Sequence, residues 1–217
     1  PGTRRGISSS LAERGTPPAV TLANKLTLTR LALAPLTFAC LWSQSPRFYS
    51  AALALYALAT VTDWVDGWVA RRTGSISAFG ALADPVADKV LVIGALIAFT
   101  RIPRLDVPAW TVFLIILREL VIGGLRALAA VSGKVLSADW SGKWSMGIQS
   151  GCVLAMLLLL AVESNGLRSL PWAPSASLLL ALVCLGVSWM SGVLYLYRAR
   201  TLLRSSWDAS KGPQEPR

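Results

Sequence analysis

Histidine is absent from all 217 residues. A general base working near neutral pH must therefore be a carboxylate, a lysine or a metal-bound water, and any metal is held without imidazole. Cysteine is nearly absent: Cys40, Cys152 and Cys184 lie in apolar runs with no CxxC spacing. That excludes a disulfide framework or a zinc ribbon and leaves three small buried hydrophobes. Acidic residues are scarce, 11 against 21 Lys and Arg. No internal repeat, heptad run or alternating strand pattern occurs, which leaves an all-α fold.

Apolar residues are what the chain does have, at 54% with a mean hydropathy of +0.56. A membrane-spanning helix needs about 20 mainly apolar residues. Six stretches qualify, near 25–43, 50–71, 79–100, 107–131, 143–163 and 173–197, punctuated by SQSPRF, RIPRLDVP and SNGLRSLPWAP. The prediction is an integral membrane protein of six transmembrane helices: a polar segment 1–20, a helical domain 21–200 and a basic cytoplasmic tail 201–217.

The net charge of +10 is unevenly spread. Arg4, Arg5, Arg14 and Lys25 precede the first span, and Arg198, Arg200, Arg204, Lys211 and Arg217 follow the last. Arg72, Lys134 and Lys143 fall on the same side, against Arg47, Arg101, Arg104 and Arg168 on the other. This asymmetry predicts that both termini and the 72–78 turn are cytoplasmic. Charges that flank spans serve anionic lipid headgroups, which makes nucleic-acid binding a poor alternative.

The acids concentrate where a membrane segment tolerates them least. Asp63, Asp66, Asp84 and Asp88 lie within TDWVDGWVARRTGSISAFGALADPVADKV, and each carboxylate in a bilayer costs roughly 2.5–3.5 kcal/mol. Spacings of three and four put each pair on one helix face. The polar turn RRTGSIS would reverse the chain and bring the two pairs together. Four converging carboxylates repel unless cations hold them, so bound divalent metal is expected. Oxygen-only ligation points to Mg²⁺, Mn²⁺ or Ca²⁺, not zinc or copper.

Gly67 follows Asp63 by one turn, Ala70 follows Asp66, and Gly80 precedes Asp84. Small residues beside acids open a groove for close ligand approach. Arg71 ends its helix positioned for a phosphate or a carboxylate, and Pro85 removes a helix hydrogen bond beside the acids. Two metals among four aspartates suit in-line displacement at phosphorus, with one carboxylate taking the proton.

Asp63-Asp66-Gly67-Ala70-Arg71-Gly80-Asp84-Asp88 forms the pattern DxxDGxxAR–x8–GxxxDxxxD. It resembles the signature of the CDP-alcohol phosphatidyltransferases at every fixed position. LANKLTLTRLALAP, DPVADK and LRELVIGGLR are further similar to bacterial phosphatidylglycerophosphate synthases, so the resemblance covers about residues 22 to 150. It implies that Asp63, Asp66, Asp84 and Asp88 ligate a two-metal Mg²⁺ or Mn²⁺ site gripping the CDP-diacylglycerol pyrophosphate. Asp88 would also be the base on the acceptor hydroxyl. Asp66, Gly67, Ala70, Arg71 and Gly80 would line the cytidine diphosphate site. The implied protein is a homodimer in the bacterial inner membrane, releasing CMP.

A phosphorylated acceptor, sn-glycerol-3-phosphate, needs a second cationic pocket, for which Arg118, Arg126 and Lys143 are the candidates. Their plainer readings are an ion pair of Arg118 with Glu119 or an aspartate, and headgroup contacts for the other two. Phosphatidylglycerophosphate synthases often carry GKxKT where this chain has Gly142-Lys143-Trp144-Ser145-Met146, lacking the second lysine and the threonine. Arg30 would meet substrate phosphate, an aspartate or the interface; Lys89 is expected in a salt bridge. Trp64 and Trp68 suit lipid, a second subunit or an interfacial belt. The alternatives are a cardiolipin synthase of the same fold using phosphatidylglycerol, and a non-enzymatic cation-binding transporter. Against the transporter, the acids cluster at one boundary and no inverted repeat occurs.

Overall fold

Six helices follow one another: α1 (Leu22–Trp42), α2 (Pro46–Thr73), α3 (Ala78–Phe99), α4 (Ala109–Val131), α5 (Trp140–Ser164) and α6 (Ala173–Ala209). This computed structural model describes the backbone of residues 22–73, 78–131, 140–166 and 170–209. Side chains are described within 27–64, 86–129, 142, 144–166, 170–198 and 200. No strand occurs among the described residues. Each helix coincides with one of the six apolar stretches. α6 passes the expected end at 197 because no glycine or proline interrupts the chain before Gly212 and Pro213. α3 is continuous through Pro85, whose side chain lies outside the described residues.

Local chemistry explains the helix ends. Pro46 opens α2, where its fixed φ is pre-organised and its missing N–H costs nothing. Gly166 follows α5 with φ 67°, the left-handed value that suits a glycine beyond a helix end. Gln44 Nε2 donates to Arg101 O at 2.9 Å, and Asn165 Nδ2 donates to Ser50 Oγ at 2.7 Å. These bonds gather the α1–α2, α3–α4 and α5–α6 connections at one end of the bundle. There Ile102, Leu105 and Val107 turn inward, and the Arg101 guanidinium lies 3.9 Å from the centre of the Trp42 ring.

α1 packs against α2 and α3, α5 against α6 and α2, and α4 against α6. α3 meets α4 and α5 only lightly. The core between them includes Leu41, Tyr56, Leu96, Phe99, Met156 and Leu160, with Ala52, Ala59, Ala95 and Ala181 admitting close helix approach. The outside is apolar as well: Leu36, Leu58, Phe113, Leu120, Leu158, Leu179 and Val193 are exposed. Helices apolar on every face need a non-aqueous surrounding. Among the described residues, Trp144–Ser164 and Ala173–Arg198 are long and apolar enough to cross a membrane, and Thr27–Trp42 is a shorter apolar helix. α4 is interrupted by Arg118, Glu119 and Arg126. The protein is membrane-associated.

Candidate active site

Four charged side chains of the site continue core-facing stripes. On α1, Arg30 precedes Leu33, Ala34 and Leu41; on α2, Asp63 follows Tyr56 and Ala59. On α3, Asp88 precedes Leu91, Val92 and Ala95; on α4, Arg118 lies between Ile115 and Ile122. Spacings of three, four and seven put each polar group on the face its helix buries. Light packing of α3 against α4 and α5 leaves room between those faces. The result is a cavity of about 660 Å³, large enough for a phosphorylated headgroup.

Asp63 and Asp88 meet at one cation. Arg30 Nη1 lies 2.7 Å from Asp63 Oδ1 and 2.6 Å from Asp88 Oδ1. Arg30 is 1% exposed, and a guanidinium so deeply buried is tolerable only when carboxylates compensate it. The two carboxylates keep contact with solvent through the cavity, Asp63 more than Asp88. Two hard oxygen donors converging on one point are the ligand type that Mg²⁺ or Mn²⁺ requires. Among the described residues, no three His, Cys, Asp or Glu side chains form a metal-holding group. Asp66 lies on α2 and Asp84 on α3, and the side chains of both lie outside the described residues.

α4 supplies the opposite wall. Arg118 Nη1 donates to Glu119 Oε1, and Nη2 donates to Ser191 Oγ at 3.0 Å. Its stem lies against Gly192, where a Cβ would stand 3.0 Å from Nε and 3.1 Å from Cγ. Glu119 Oε2 also accepts from Lys89 Nζ at 3.0 Å. Arg126 faces the same cavity near Gly142, its guanidinium 5.3 Å from the Tyr195 ring. α5 adds Ser145, Gln149 and Ser150 to the lining. The Ser150 hydroxyl shares a hydrogen bond with Tyr56 Oη at 3.1 Å. An anion entering here meets guanidinium groups on one side and the paired carboxylates on the other.

Of the residues expected from the sequence, Asp63, Asp88, Arg118 and Arg126 line this one cavity. Gly67, Ala70 and Arg71 on α2, Gly80 on α3 and Lys143 on α5 have side-chain positions outside the described residues, as does Trp68. Lys89 is in a salt bridge as expected, and Arg118 pairs with Glu119 while still facing the cavity. Trp64, 73% exposed, stands at the cavity rim. Sequence reasoning missed Ser191, Gly192 and Gln149. Their signal was a small pair and a lone amide at inward positions of otherwise apolar helices.

Comparison with known proteins agrees with this chemistry. Residues 20–194 match the sequence model of the family described as CDP-alcohol phosphatidyltransferase. The chain is similar to the CDP-diacylglycerol–glycerol-3-phosphate 3-phosphatidyltransferase of Bacillus subtilis (strain 168). Identity is 38% over 149 residues, covering 63% of this chain and 76% of that protein. It is 35% identical over 176 residues to a probable phosphatidylglycerophosphate synthase of Mycobacterium tuberculosis (strain ATCC 25618 / H37Rv), covering 80% and 81%. Similarity to a cardiolipin synthase (CMP-forming) of Oryza sativa subsp. japonica is 31% over 214 residues, covering 91% of this chain and 63% of that protein.

Proposed function

The chain belongs to the CDP-alcohol phosphatidyltransferase family, and we propose that it transfers the phosphatidyl group of CDP-diacylglycerol to sn-glycerol-3-phosphate, giving phosphatidylglycerophosphate and CMP. The observation that carries this reading is one cavity with a carboxylate pair, Asp63 and Asp88, and a cationic wall, Arg118 and Arg126. A phosphorylated acceptor needs both, because its hydroxyl must lose a proton while its phosphate is held. The B. subtilis and M. tuberculosis relatives carry names of this activity.

In this mechanism Asp88 accepts the proton of the acceptor hydroxyl. The hydroxyl oxygen attacks the phosphatidyl phosphorus, and the bond from that phosphorus to the CMP oxygen breaks, CMP keeping the electron pair. Arg118 and Arg126 hold the acceptor phosphate and orient the hydroxyl, which converts a bimolecular encounter into a positioned attack. Arg30 fixes Asp63 and Asp88 relative to one another. Gly67, Ala70, Arg71 and Gly80 leave room for, and contact, the cytidine diphosphate, and Lys143 adds a third cation for the acceptor. Mg²⁺ or Mn²⁺ held by Asp63, Asp66, Asp84 and Asp88 supplies charge neutralisation at the pyrophosphate when bound.

The same reading makes the protein a six-span bacterial inner-membrane homodimer with cytoplasmic termini, a polar segment 1–20, a catalytic domain 21–200 and a basic tail 201–217. One observation favours a second acceptor. Ser145 and Met146 line the cavity where phosphatidylglycerophosphate synthases often carry lysine and threonine, and the rice relative is named a cardiolipin synthase. CMP release by the purified chain, with CDP-diacylglycerol and Mg²⁺ or Mn²⁺, decides between them. Release with sn-glycerol-3-phosphate, abolished by chelation, is expected. Release with phosphatidylglycerol alone would make the chain a cardiolipin synthase.

A further inference from the structure

We propose that Glu119 is a positioning residue that sets which length of phosphorylated acceptor the site accepts. It does so by holding the phosphate-binding wall of α4 at a fixed distance from Asp88 on α3. This rests on the phosphatidyl-transfer reading above. Glu119 is largely buried and its two oxygens face two helices: Oε1 takes Arg118 on α4, and Oε2 takes Lys89 on α3 at 3.0 Å. Lys89 directly follows Asp88. α3 and α4 otherwise pack lightly, so this carboxylate is a principal side-chain link across the gap that an acceptor must span. Arg118 is in turn fixed to α6 through Ser191 and Gly192. Lys89, Glu119, Arg118 and Ser191 thus form one chain of contacts from the α3 helix to α6.

An acceptor bridges the same gap in parallel, phosphate at α4 and hydroxyl at Asp88. Its length must match the spacing that the Glu119 link maintains. Removing the carboxylate leaves Lys89 and Arg118 as neighbouring cations with no shared anion between them. With that link broken, the lightly packed α3 and α4 are free to separate, and a longer acceptor would then fit as well as a shorter one. Arg126 has no carboxylate partner among the described residues, so its pull on the phosphate persists. The wall would keep its charge and lose its place.

The test uses the purified full chain and CMP release with sn-glycerol-3-phosphate or a butanetriol phosphate one carbon longer. Glu119→Ala is expected to raise KM for sn-glycerol-3-phosphate about tenfold, with KM for CDP-diacylglycerol changed less than about twofold. The preference for the shorter acceptor should fall by a similar factor. Lys89→Met should reproduce that loss and add little to Glu119→Ala, because both break one link. Glu119→Gln, which keeps the reach but offers one acceptor oxygen and an NH2 donor in place of two acceptors, should lose much of the preference as well. Equal shifts in both KM values, an unchanged acceptor preference, or additive Lys89 and Glu119 effects would each overturn the proposal. If Glu119→Ala does not fold, unchanged preference in both Glu119→Gln and Lys89→Met overturns it. A wild-type chain that turns over with phosphatidylglycerol but not sn-glycerol-3-phosphate removes the acceptor reading itself, and this proposal with it.

Discussion

Replacing Gly192 by alanine puts a methyl carbon 3.0 Å from Arg118 Nε, 3.1 Å from Cγ and 3.6 Å from Cδ. Arg118 has little freedom to retreat, because Nη1 is held by Glu119 and Nη2 by Ser191 at 3.0 Å. Relief requires movement of a few tenths of an ångström in the arginine stem or in α6. Overpacking of this kind costs about 1–3 kcal/mol. The low end applies, since the neighbour is a side chain and not backbone. Helix propensity acts in the opposite direction, because Gly→Ala within a helix gains about 1 kcal/mol. Global stability should therefore barely change, while the guanidinium is displaced from its working position. A loss of roughly 1–1.4 kcal/mol in acceptor binding corresponds to about a five- to tenfold rise in KM for sn-glycerol-3-phosphate. Initial rates of CMP release at saturating CDP-diacylglycerol measure it, alongside thermal unfolding in detergent. An unchanged acceptor KM, or an equal rise for the lipid substrate, would refute the reasoning that Gly192 acts through Arg118.

Three further substitutions probe the remaining groups. Arg30→Gln should lower the unfolding free energy by about 2 kcal/mol, less than for a fully buried pair because both carboxylates reach solvent; a denaturant midpoint equal to wild type would remove Arg30 as the compensating cation. Asp88→Asn should abolish CMP release with only a modest loss of CDP-diacylglycerol binding, and near-normal turnover would take the base role from Asp88. Arg126→Ala should raise KM for sn-glycerol-3-phosphate well above any change for CDP-diacylglycerol, and equal effects on both would assign Arg126 a structural role.

Much of the fold was legible because bilayer length and helix geometry constrain apolar runs strongly. All six helices fall where the hydropathy put them, but α2 begins at Pro46, ahead of the expected 50, because a proline at the first helical position is a start signal that hydropathy does not read. The spread of α6 to Ala209 was missed because hydropathy stops at the first charges, whereas helix formation stops at breakers. The carboxylate pattern was legible for a different reason. Charges are so costly among apolar residues that their spacing is informative by itself.

The pairings were another matter. Arg30 had three plausible partners in one dimension, and burial to 1% exposure with two carboxylates at one nitrogen selected among them. Arg118 was expected either in an ion pair or facing a cavity, and it does both, which no spacing rule anticipates. Lys89 and Glu119 lie 30 positions apart in the sequence, on different helices, and nothing local joins them. Apolar length and the high cost of a misplaced charge, both local quantities, set the helices and the acidic motif from sequence alone. Which cation meets which carboxylate, and which glycine an arginine leans on, depended on how six helix faces came together, and that is a property of packing.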